Sequence, residues 1–227
     1  MNQKRPFVTP IRALAFDVDG TIADTDPIHA EAWARALKTV NGRQFKLSEY
    51  LDACVNGAMT PRQFLSQYYD ARDWPAIEAE KRRIYPDLMA ERISLTAGLA
   101  ELLSAARLAG VRVAIVSSSS RESVAALLRG SWKGAPPDIV IARGDAEASK
   151  PNPAPYEAAV YQLNTPSKYV VAFEDSASGV ASARGAGLIC IQVGLSARVL
   201  SELRIRDFGD CVIERVNCEP QLTVYFS

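Results

Sequence analysis

Four short stretches of the chain combine acids, hydroxyls and an amine in the way phosphoryl transfer requires. Asp17-Val-Asp-Gly-Thr21 places two carboxylates two residues apart, so both are directed to the same side before Gly20 turns the chain. Ser117-Ser-Ser-Ser120 offers hydroxyls and backbone N–H groups to a phosphate oxygen, with Ser117 and Ser118 the candidates. Ser149-Lys150-Pro151 sets an amine in a proline-bounded loop, and Glu174-Asp175 adds a second acidic pair. A hard cation that keeps several waters and takes few protein carboxylates fits Mg²⁺, with Asp17, Asp19, Glu174 and Asp175 as the candidate metal ligands. Asp17 is then the candidate nucleophile. Asp19 is the candidate proton donor to the leaving oxygen and later the base for a hydrolytic water. Lys150 and the Ser117 hydroxyl are assigned to the spectator phosphate oxygens.

These residues need elements to bring them together. Ile11–Phe16 is short and apolar and reads as a buried strand running into the first acidic loop. From Pro27 to about Ile93 the apolar spacing turns helical, with helices expected over 28–40, 47–55, 61–69 and 77–89. Strands and helices then alternate: helix 98–109, strand 111–116, helix 121–128, strand 139–142, helix 153–163, strand 169–173, helix 178–186 and strand 189–193. That rhythm implies a parallel sheet covered on both faces, whose ligand crevice lies beyond the carboxyl ends of the strands. All four candidate stretches follow such ends. The expected organisation is an α/β core formed by 1–27 and 94–227, with a helical segment, 28–93, inserted after the first strand.

Composition narrows the class. With 227 residues, 48% hydrophobic and 23% charged, and 26 Lys+Arg against 26 Asp+Glu, the chain has an ordinary globular make-up and no basic footprint for nucleic acid. No apolar run approaches the ~20 residues of a membrane span, and no signal-type stretch follows the first residues. The expectation is a cytoplasmic protein without nucleic-acid or membrane partners, monomeric by default, acting on a small phosphorylated metabolite. The four cysteines form no C-x-x-C, so they are expected to be reduced and mostly buried.

Asp17-Val-Asp-Gly-Thr21, Ser117, Lys150-Pro and Glu174-Asp175, in this order after successive strands, resemble the four motifs of the haloacid dehalogenase (HAD) superfamily. The resemblance covers essentially the whole chain. It is closest to the subfamily with a helical cap after the first motif, which includes sugar-phosphate phosphatases, phosphoglycolate phosphatase, β-phosphoglucomutase and CbbY-like proteins. It implies the HAD fold, a Rossmann-like parallel sheet core with an inserted helical-bundle cap domain. It also implies a phosphoaspartyl intermediate on Asp17, and an Asp19 whose backbone carbonyl ligates Mg²⁺ while its side chain acts as acid/base. Thr25 and His29 correspond to the hinge and substrate side. Gly57 and Arg62 resemble a Gly-x-x-Arg substrate loop with a longer spacing, Gly57-Ala-Met-Thr-Pro-Arg62.

Taken singly, each stretch has an ordinary explanation: an Asp-Gly turn, a serine N-cap, an exposed loop lysine, a solvated strand end. Their ordered combination is what favours a site. His29 is equally open to a structural role, and Arg62 and Lys81 to solvated helix faces. The reading is therefore a Mg²⁺-dependent phosphatase acting on a sugar phosphate. Its rival is a phosphomutase sharing every core residue, against which the displaced Arg62 weighs. A non-catalytic HAD-fold binding protein is the alternative of another class, and the retention of Asp19 beside Asp17 argues against it.

Overall fold

The computed structural model describes residues 6–56, 59–130, 132, 134–194 and 201–225; Gly57 lies outside them. In chain order the elements begin with β1 (Phe7–Pro10), β2 (Ala13–Phe16), α1 (Asp26–Asn41), α2 (Leu47–Tyr50), α3 (Pro61–Leu65) and α4 (Trp74–Arg92). They continue with α5 (Leu99–Ala109), β3 (Arg112–Val116), α6 (Arg121–Gly130), β4 (Ile139–Ile141), α7 (Ala154–Gln162) and β5 (Val170–Glu174). The last are α8 (Ala177–Gly185), β6 (Ile189–Val193), β7 (Arg204–Ile205), β8 (Cys211–Val216) and β9 (Glu219–Val224). Two compact units result: Met1–Ala23, Leu95–Val124 and Trp132–Ser227 form one, and Asp24–Ser94 with Ala125–Ser131 the other.

The first unit is built on a six-stranded sheet of order β4-β3-β2-β5-β6-β7. Its pairings are parallel throughout. The central strand β2 is buried at every residue, as a strand covered on both faces must be. Alternation along β2 separates the two faces. Ala13 and Ala15 join Tyr156 and Ala159 of α7, Leu163 just after it, and Val180 and Ala183 of α8 in one core cluster. Phe16 belongs to the opposite face and stacks on Phe173 at 5.0 Å, with Phe208 edge-on to both. Phe16 aligns with Ile115 on one side and Phe173 on the other, so Asp17, Ser117 and Glu174 emerge side by side from neighbouring strand ends.

A second, three-stranded antiparallel sheet of order β1-β9-β8 completes this unit and was not expected from the sequence. Asn217 and Cys218 close the β8–β9 hairpin as a two-residue turn with both φ positive, 52° and 69°. Cys218, in that turn, is exposed, and Cys54 in the second unit is half-buried, so the expectation of mostly buried cysteines holds for Cys190 and Cys211 alone. Burial pushes both of those thiols up to about 12.

In the second unit, α1 and α4 share a core in which Trp33 stacks on Trp74 at 5.2 Å and Phe45, Tyr50, Phe64 and Tyr68 form an aromatic cluster. Three expected elements are corrected here and in the core. The helix expected over 47–55 is α2 followed by a π-helical turn, Leu51–Asn56. The helix over 61–69 stops at Leu65 and passes into a 3-10 turn. The first core strand begins at Ala13 rather than Ile11, because Ile11 N–H pairs with Pro220 of the hairpin sheet instead. Pro75 sits in the first turn of α4, where a proline removes only an N–H that has no intrahelical partner. Among the described residues no helix is long and apolar enough to cross a membrane.

Candidate active site

At the carboxyl ends of the central strands the first unit gathers Asp17, Asp19, Ser117, Lys150, Glu174 and Asp175. Asp17 follows β2 directly, its N–H donating to the Phe173 carbonyl at 3.0 Å, and the residue is 7% exposed. Lys150 Nζ donates to Asp17 Oδ1 at 2.6 Å, to Glu174 Oε1 at 2.6 Å and to the Val116 carbonyl at 2.8 Å. Those three bonds use the three N–H donors of an ammonium group. Its side chain is 4% exposed, so Lys150 is a buried cation tying the first acidic motif to the second.

Glu174 ends β5 fully buried and takes a further hydrogen bond on Oε1 from the Tyr156 hydroxyl at 2.7 Å. Two glycines make room for the acidic pair. A Cβ at Gly20, whose φ is +80°, would lie 2.2 Å from Asp175 Oδ2. A Cβ at Gly179, on the first turn of α8, would lie 1.9 Å from Glu174 Oε2 and 2.1 Å from Oε1. Side chains at both positions would displace the carboxylates.

Asp17, Glu174 and Asp175 each offer a ligand oxygen, all within 4.8 Å of one another. Burial pushes the Asp17 carboxyl well above the usual carboxylate range; Lys150 draws it down, and Glu174, Asp175 and Asp19 push it up again. Converging, desolvated carboxylates that repel one another fit a divalent cation, whose charge would reverse that push. For Lys150, burial alone would lower the ammonium, but Asp17 and Glu174 by charge and hydrogen bond hold it above its ordinary value. Burial first, then Glu174 and Asp17, raises the Tyr156 phenol, which therefore stays a proton donor.

Asp19 stands outside this trio of carboxylates. Its Oδ2 accepts from Ser119 Oγ at 2.6 Å, and Ser119 N–H in turn donates to Ser117 Oγ at 3.0 Å. Ser117 is 4% exposed and Ser119 7%, whereas Ser118 points to the surface while its carbonyl accepts from Arg143 Nε at 2.7 Å. Tyr156 is a site residue that sequence reasoning missed, and Ser119, read only as one of a serine run facing a phosphate, is the partner of Asp19. For Ser119 a signal existed: Ser117 and Ser119 have the same i, i+2 spacing that made Asp17 and Asp19 a pair. For Tyr156, six residues after Lys150, none did, because an aromatic residue in an apolar helix reads as core.

The other expected residues lie in the second unit. Thr25 is fully buried, and its carbonyl accepts from His29 N–H at 2.8 Å. His29 Nδ1 lies 3.0 Å from Lys81 Nζ and Nε2 2.9 Å from the Tyr85 hydroxyl, while Lys81 Nζ sits 3.8 Å from the centre of the Tyr85 ring. Arg62 is exposed on α3, its guanidinium 5.4 Å from the centre of the Trp74 ring.

The model of the haloacid dehalogenase-like hydrolases matches residues 11–187, a span that includes all four motifs. The chain belongs to that family. The CbbY protein of Cereibacter sphaeroides is 35% identical over 191 residues, which take in 80% of this chain and 83% of that one. The crystal structure of CbbY from Rhodobacter sphaeroides in complex with phosphate superposes with a TM-score of 0.75 at 28% identity, over 88% of this chain and 96% of that one. A variant of the same protein in complex with xylulose-(1,5)bisphosphate gives a TM-score of 0.74 at 28% identity, over the same 88% and 96%. Within the family the chain is a phosphoric monoester hydrolase, a phosphatase of the CbbY and phosphoglycolate phosphatase type that acts on phosphorylated metabolites.

Proposed function

We propose that this protein is a Mg²⁺-dependent sugar-phosphate phosphatase working through an aspartyl-phosphate on Asp17. The observation that carries the reading is the setting of Asp17: buried at a central strand end, bonded to Lys150 and grouped with Glu174 and Asp175. Asp17, Glu174, Asp175 and the Asp19 backbone carbonyl would hold the cation, which when bound neutralises charge between the Asp17 carboxylate and the substrate phosphate. In this reading residues 28–93 are the helical cap domain, and 1–27 with 94–227 the catalytic core. The phosphorylated sugar bound by the Rhodobacter relative supports the substrate class. Thr25, His29, Gly57 and Arg62 are proposed to serve the substrate side.

An Asp17 carboxylate oxygen attacks phosphorus, and the bond from phosphorus to the ester oxygen breaks. Asp19, held by Ser119, gives its proton to the departing oxygen. Water then attacks phosphorus, Asp19 takes a proton from it, and inorganic phosphate leaves with Asp17 regenerated. Ser117 and the backbone at Ser118 hold the spectator oxygens through both steps, while Lys150, its three N–H donors occupied by Asp17, Glu174 and Val116, contributes its positive charge beside them.

Phosphate release from a panel of sugar mono- and bisphosphates with Mg²⁺, run beside Asp17→Asn and beside an assay of β-glucose 1-phosphate isomerisation, tests the reading. Release that depends on Asp17, with little isomerisation, is expected. Isomerisation without release would make the protein a mutase.

A further inference from the structure

We propose that Tyr156 is a positioning residue that makes Glu174 a one-oxygen ligand and so biases the metal site towards Mg²⁺ over Ca²⁺; this rests on the proposed assignment of Asp17, Glu174 and Asp175 as metal ligands. Tyr156 lies in the first turn of α7, its ring in the core and its hydroxyl donating to Glu174 Oε1 at 2.7 Å. Lys150 donates to the same oxygen at 2.6 Å. A carboxylate oxygen has two lone pairs, so these two donors saturate Oε1. Among the described residues, Oε2 has only the long contact of 3.4 Å from Ser176 Oγ and keeps its acceptor capacity. The carboxylate cannot turn freely to exchange the two oxygens, because it rests against the backbone of Gly179, where even a Cβ would approach to 1.9 Å.

A carboxylate held in this way presents one oxygen to a cation. Mg²⁺ is small and octahedral and suits single-oxygen ligation, whereas Ca²⁺ takes more oxygens, often two from one carboxylate. Lys150 is also committed to Asp17 and Val116, so its bond to Glu174 cannot be removed in isolation. Tyr156→Phe removes one donor from Oε1 and keeps the ring. It frees a lone pair for two-oxygen binding and loosens the orientation of Oε2.

The experiment is calorimetric titration of Mg²⁺ and of Ca²⁺, without substrate, into the full chain as wild type, Tyr156→Phe, Glu174→Gln, the double variant of those two and Asp175→Asn, with melting temperatures recorded. The expected result is a roughly 10-fold weaker Mg²⁺ affinity in Tyr156→Phe, the usual scale for losing a partner of a metal ligand. Ca²⁺ affinity should hold or tighten, and Tyr156→Phe should add nothing in the Glu174→Gln background. Site-specific 3-fluorotyrosine at 156, a stronger donor on the same ring, should shift the ratio the other way. Equal changes for both ions, no change, or an undiminished effect without the Glu174 carboxylate overturns the inference. Wild type and Asp175→Asn binding Mg²⁺ alike overturns instead the metal assignment beneath it.

Discussion

Replacing Gly179 by alanine should cripple the site although the added group is a single methyl. The new Cβ would meet Glu174 Oε2 at 1.9 Å, Cδ at 2.0 Å and Oε1 at 2.1 Å, far inside any real contact. Glu174 is fully buried, so its carboxylate escapes only by giving up its bonds to Lys150 and Tyr156. At roughly 1.5–3 kcal/mol for each bond to a charged group, the loss is about 3–6 kcal/mol. Alanine returns about 1 kcal/mol of helix propensity, leaving a net destabilisation of about 2–5 kcal/mol. Urea unfolding of the two proteins measures this directly, with phosphatase rates on the same preparations expected to collapse. Gly185→Ala at the end of the same helix is the milder comparison, because its Cβ would come no nearer than 3.3 Å to Pro153 Cβ, a crowding that a shift of a few tenths of an ångström relieves. A Gly179→Ala protein as stable and active as wild type would refute the claim that the glycine exists to seat Glu174.

Other consequences are equally accessible. Lys150→Met leaves the Asp17 and Glu174 carboxylates buried without their cation, and should cost about 3–5 kcal/mol in urea unfolding. Ser119→Ala should lower the turnover number about 10-fold or more through loss of the bond to Asp19, with the melting temperature little changed. Cys190 and Cys211, raised in the fold from 9.0 to about 12, stay protonated while the unfolded chain ionises, so their contribution is full below pH 9 and is lost as pH rises towards 12. Each thiol should steepen the fall in stability over that window by up to ~1.4 kcal/mol per pH unit, and Cys190→Ala should flatten it. At neutral pH a thiol reagent should modify exposed Cys218 quickly and those two only on unfolding.

The core strands and the residues following them were legible because parallel central strands are short apolar runs, and polar residues at their ends interrupt the pattern visibly. Asp17, Ser117 and Glu174 stood out in this way, and Lys150 by the prolines that bound its loop. The hairpin sheet was not legible: β1 pairs with β9 across almost the whole chain, and its turn uses Asn217-Cys218 where the recognisable signal ends in glycine. Helix ends in the second unit shifted for a local reason, since apolar spacing alone does not distinguish α-helix from the π and 3-10 turns that continue it after Tyr50 and Leu65. Tyr156 shows the deeper limit. Its type and spacing announce a core aromatic residue, which it is, and only the fold reveals that its hydroxyl ends on Glu174.

Asp17 is the residue proposed to carry the phosphoryl group. Rapid quenching during turnover of the best substrate from the panel, followed by borohydride reduction and peptide mass spectrometry, reads this out, because an acyl phosphate is reduced to the alcohol. Homoserine is expected at position 17 when Mg²⁺ and substrate are both present, and none in Asp17→Asn. Turnover at full rate with an unmodified Asp17 would contradict it.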